Sequence, residues 1–76
     1  MNNTRRKEIT KLIEKIQELH GEVEAIRDEE QEYIDCMPEN LQESERAEMA
    51  QTAVDELGEA MEKIEESITN LETASE

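Results

Sequence analysis

Two side chains in this sequence could serve as a nucleophile or a soft metal ligand at neutral pH, His20 and Cys36. A working Cys–His pair needs hydrogen-bond contact between the two groups. If one helix carries both, their separation in the sequence places them about 24 Å apart at 1.5 Å per residue, so a single chain cannot build that pair. A carboxylate–histidine di-metal site in a helical bundle needs Glu three residues before His, and Gln17 stands there. The cluster Asp28, Glu29, Glu30, Glu32 and Asp35 offers oxygen ligands to a divalent cation. It lacks the spacing and the glycine of a calcium loop, and a rigid helix spreads these groups around its circumference. The expectation is a solvated acidic surface with no catalytic residue, no metal and no cofactor. His20 is expected to border a packed seam, and Cys36 to be a small apolar contact.

The elements that hold these residues follow from composition and periodicity. The chain has 76 residues, enough for one small domain. It carries 8 Lys+Arg against 22 Asp+Glu, a formal charge of −14, with Tyr33 as its one aromatic residue. No apolar run exceeds two residues, so neither a membrane-spanning helix nor a signal-peptide core is expected. One cysteine excludes an internal disulfide framework and fits a cytoplasmic protein. The charge repels nucleic acid and anionic membrane, so direct binding to either is not expected, and it favours basic partners.

Low hydropathy with high net charge is also the signature of disorder, and periodicity decides against it. Ile9, Leu12, Ile16, Leu19, Val23, Ile26, Tyr33 and Met37 keep alternating steps of three and four, with Glu30 the one missed position. This is a heptad pattern over four repeats, and it predicts a helix over about residues 5–36. Ile13 and Ile34 widen its apolar stripe. Ala50, Val54, Leu57, Met61, Ile64, Ile68 and Leu71 repeat the pattern and predict a second helix over about 44–73. Beside this second seam runs a column of small residues, Ala53, Ala60, Ser67 and Ala74, at seven-residue spacing. Small side chains let another helix approach closely. Gly21 and Gly58 leave the phase intact, so both helices are read as continuous.

Pro38 removes a backbone donor and disfavours helical geometry at Met37, which ends the first helix. It also suits the start of a short helical turn through Leu41. Ser44 is the expected N-cap of the second helix, with Glu45 and Glu48 placed favourably at the positive end of the helix dipole. A connection over residues 37–43 between long helices gives an antiparallel hairpin. The fold class is therefore all-α, a two-helix coiled-coil hairpin. Ile13, Ile34 and the Ala53–Ala60–Ser67–Ala74 column are the expected contact with a second copy, which would complete a four-helix bundle.

Residues Asp28–Tyr33, Met37–Gln42 and Ser44–Arg46, above all the Pro-Glu-Asn-Leu-Gln turn, resemble a group of small acidic helical-hairpin proteins from Gram-positive gut bacteria and their phages. Cys36 and Ala47 depart from that pattern, where Asn and an aromatic residue are expected. The resemblance implies a hairpin and a mobile-element setting, and no enzymatic activity.

Charge is uneven along the chain. Residues 1–15 hold Arg5, Arg6, Lys7, Lys11 and Lys15 against Glu8 and Glu14, and the remainder holds three cations against 20 acids. In a hairpin the basic start lies beside Glu62, Glu65, Glu66 and Glu72, where exposed pairs worth roughly 0.2–1 kcal/mol are expected. Spread along a rod of about 48 Å, the net charge comes to about one per 3.4 Å, the spacing along one DNA strand. Two readings follow. In one, a phage or mobile-element inhibitor presents an acidic rod to the basic nucleic-acid groove of a host defence protein, such as a CRISPR nuclease. Asp28, Glu29, Glu32, Asp35, Glu39, Glu43, Glu45 and Glu48 are then the binding face. In the other, the hairpin is a structural dimerisation or helix-docking protein with no mimicry.

Overall fold

Asn2 begins the first helix: its side-chain oxygen accepts from the Arg5 amide at 2.8 Å, satisfying one of the donors a helix start leaves free. From there α1 runs over Asn3–Asp35, in a computed structural model that describes residues 1–76. The start lies two residues before the expected one, because Asn2 supplies a cap that hydropathy does not register. Cys36 closes the helix, its amide bonding Glu32 at 2.9 Å. Pro38 is then extended, at φ −56° and ψ 145°, and leads into one 3₁₀ turn over Glu39–Leu41. The Leu41 amide bonds the Pro38 carbonyl at 2.8 Å, and Gln42 Nε2 donates to the Met37 carbonyl at 3.2 Å. Ser44 caps the second helix, α2, accepting from the Ala47 amide at 3.2 Å; α2 spans Glu45–Ala74.

The two helices lie against each other as an elongated hairpin, about 59 Å by 15 Å by 11 Å. Its two ends differ. At the open end Arg6 reaches across, Nε donating to the Ser75 carbonyl at 3.1 Å and Nη2 to that of Glu76 at 3.4 Å. Midway, His20 Nε2 meets Glu65 Oε1 at 2.9 Å. These contacts fix an antiparallel register.

The side of α2 that meets α1 is the expected one: Ala47, Ala50 and Met61 are buried, and Val54, Leu57, Ile64, Ile68 and Leu71 are half-buried. The side of α1 is rotated relative to the expected seam. Its half-buried positions are Arg6, Ile9, Ile13, Ile16, His20, Val23, Arg27, Glu30 and Ile34, with Gln31 beside the last. Ile13 and Ile34, assigned from the sequence to contact with a second copy, are thus half-buried on the side turned to α2. The column expected in their place stays substantially exposed: Leu12 is 47% exposed, Leu19 55%, Ile26 55% and Tyr33 43%. The rotation has a physical cause. Arg6 and His20 find hydrogen-bond partners across the seam, and long arginine stems cover apolar surface while their heads stay wet. A polar column can therefore flank this seam at little cost.

Candidate interaction surface

Helical geometry sorts the surface into two unlike sides. At 100° per residue, the column Leu12, Leu19, Ile26 and Tyr33 of α1 falls on the same side of the hairpin as Arg46, Ala53, Ala60, Ser67 and Ala74 of α2. Contact geometry agrees, since Tyr33 and Ala53 border one open concavity together with Met49 and Ala50. Ala60, Ser67 and Ala74 are exposed, and Ala53 is half-buried. Large apolar side chains on one helix thus run beside small ones on the other. The sequence marks both columns. What periodicity alone misses is that the large column is left uncovered, because burial of two neighbouring columns of α1 is a property of the pair of helices.

Towards the turn this apolar side continues into a second concavity, lined by Tyr33, Cys36, Met37, Pro38, Leu41, Ser44 and Arg46. Leu41 is 46% exposed and Met49 68%. Cys36 is a free, exposed thiol. It lies at the end of α1, whereas His20 lies in its middle against Glu65, so no Cys–His pair forms.

The opposite side is polar. Arg27, Asp55, Gly58, Glu59, Glu62 and Glu65 line a shallow hollow there with Val54 and Met61. His20 approaches Glu24 at 4.0 Å as well as Glu65.

The carboxylates proposed from the sequence as a binding face gather at the turn end without forming one face. Asp28, Glu32 and Asp35, at i, i+4 and i+7, share a strip of α1 on the side away from Leu12. Glu29 projects from the back of α1, and Glu45 and Glu48 from the outer side of α2. Glu39 and Glu43 belong to the turn. All eight are exposed. Asp28 pairs with Arg27 at 3.0 Å, and Asp35 accepts from Gln31 Nε2 at 3.0 Å. No three histidine, cysteine or carboxylate side chains converge on a point where a metal ion could sit.

The basic start of α1 is the main departure from the expected electrostatics. None of Arg5, Arg6, Lys7, Lys11 and Lys15 comes within 4.0 Å of a side-chain carboxylate oxygen. Lys7 and Lys11 point away from α2 by helical rotation, and Arg6 spends its donors on backbone carbonyls and Asn3. The expected pairs with Glu62, Glu65, Glu66 and Glu72 are therefore absent. Lys and Arg pair with two of the 22 side-chain carboxylates, Asp28 through Arg27 and Glu59 through Lys63, while the His20 ring lies within 4.0 Å of Glu24 and Glu65.

No helix is long and apolar enough to cross a membrane. No protein-family model, curated protein or solved structure matches this chain.

Proposed function

We propose that this protein is a non-enzymatic interaction module whose acidic rod docks on a basic surface of another protein, of the kind that normally holds a nucleic-acid backbone. The observation that carries this reading is the state of its carboxylates. A chain of charge −14 leaves 20 of its 22 side-chain carboxylates without a Lys or Arg partner within 4.0 Å, so the charge is not used to hold the hairpin together. Unneutralised charge opposes folding, and about half as much suffices for solubility in a domain of this size. Along a rod 59 Å in length it gives a charge spacing of the order found in nucleic acid. The mobile-element setting implied by the resemblance makes a host nucleic-acid-handling protein, such as a defence nuclease, the natural class of partner.

Salt titration of captured partners tests this. Capture on the immobilised hairpin at about 0.05 M and about 0.5 M salt should yield basic nucleic-acid-binding proteins at the lower concentration, displaced by added DNA or RNA and lost at the higher. Capture that survives high salt and ignores competing nucleic acid would refute mimicry. A second reading, a purely structural assembly or helix-docking protein, is favoured by the uncovered Leu12–Leu19–Ile26–Tyr33 column.

A further inference from the structure

We infer that the uncovered apolar side is closed by a second copy of this chain, packed head to tail, so that the turn end of each hairpin lies over the open end of the other. This assignment is independent of the partner reading above. It engages Glu29 of the acidic face and leaves Asp28, Glu32, Asp35, Glu45 and Glu48 pointing outward, so either one can fail alone.

Three observations converge on this occupant. The first is size. A face about 59 Å long and 15 Å wide offers on the order of 800 Å² per partner, the area of a standard stable interface. The second is symmetry. A two-fold axis passing level with residues 22–23 sets Leu12 against Tyr33 of the partner subunit and Leu19 against Ile26 of the partner subunit. On α2, an axis level with residues 63–64 sets Ala53 against Ala74 of the partner subunit and Ala60 against Ser67 of the partner subunit. The contacts across the seam, His20–Glu65 and Arg6–Ser75, put level 22–23 of α1 opposite about residues 58–63 of α2. The axis is therefore set by the large side chains of α1, as an isologous interface requires, and the small column of α2 lies within about one turn of the same symmetry.

The third observation is charge, and it selects the direction. Residues 28–48, the turn end, hold nine carboxylates and one cation. The open end, residues 1–15 with 62–76, holds six Lys+Arg and seven carboxylates. Packing the hairpins in parallel would stack two strongly acidic ends. Packing them head to tail puts each acidic end over a nearly neutral one that carries five of the six Lys and Arg left without side-chain carboxylate partners. Arg5 continues the Leu12 column by one heptad and reaches the acidic turn. Lys15 and Glu29 share one column of α1, at the back edge beside the Leu12 column, and the axis brings Lys15 level with Glu29 of the partner subunit.

The native Cys36, exposed and unique in the chain, supplies the decisive measurement. A nitroxide on Cys36 of the full chain should give a dipolar distance of about 40 Å between subunits, from 1.5 Å per residue either side of the axis. Sedimentation equilibrium should give twice the 8.8 kDa chain mass. Leu19→Asp should weaken the dimer by about a hundredfold or more, since each dimer loses two buried leucines. Lys15→Glu should also weaken it, and adding Glu29→Lys should restore it. Should Leu19→Asp unfold, the wild-type distance and the Lys15/Glu29 exchange still decide. A monomer at about 0.1 mM, well above the dissociation constant of a standard interface, would overturn the inference and leave the face to a different partner. A dimer with its two Cys36 labels within about 20 Å, as side-by-side helices at 8–10 Å would hold them, would overturn the head-to-tail arrangement.

Discussion

Gly21 and Gly58 sit inside long helices with ordinary negative φ, and a Cβ built at either would meet nothing within 4 Å. Neither residue lies on the apolar side. The backbone freedom of glycine is therefore unused, and each costs about 1 kcal/mol against alanine. Gly21→Ala and Gly58→Ala should each stabilise the fold by about that amount in urea unfolding, and the pair should be additive because neither added methyl has a neighbour to share. Cys36 and His20 show the other limit of residue-scale reasoning. Their types invite a Cys–His pair, and their separation along one helix keeps the two apart within the chain. That conclusion was legible in the sequence, because helical rise alone decides it. The bond from His20 to Glu65 was not, because it depends on which column of α1 faces α2.

Caps and turn carry the helices as elements. The Ser44 hydroxyl satisfies the Ala47 amide where α2 begins, and Ala47 is among the three buried residues. Ser44→Ala should cost about 1 kcal/mol, more than Asn2→Ala at the exposed start of α1, with circular dichroism showing little loss of helix at low temperature. Pro38, Ser44 and the heptad phase made both helices and the turn readable beforehand. Those signals are local, and local geometry dictates them. The facing of α1 was harder. Columns 12/19/26/33 and 13/20/27/34 flank the same Ile9–Ile16–Val23 row, and the sequence ranks them by hydropathy, which favours Leu, Ile and Tyr over His and Arg. The hairpin takes the other column, where polar side chains at the seam edge keep their hydrogen bonds, and the large apolar ones stay exposed.

At the scale of the whole molecule, net charge governs the response to salt. With so few carboxylates paired, raising salt relieves more repulsion than it screens attraction. Between about 0.01 M and about 0.1 M the screening length falls from about 30 Å to about 10 Å. Thermal stability should rise over that interval, and a fall would mean that the few ion pairs outweigh the net charge.

The antiparallel register has a kinetic consequence. Each contact across the seam closes a loop whose length grows steadily with distance from Pro38, from the shortest near Ala47 to nearly the full chain at Arg6. Closing a long loop costs less once a shorter one inside it has formed. The chain should then fold like a zipper, from the turn outward. Loss of packing near Ala47 and Ala50 would slow folding, while loss of the Arg6 clasp would leave the folding rate alone and hasten unfolding.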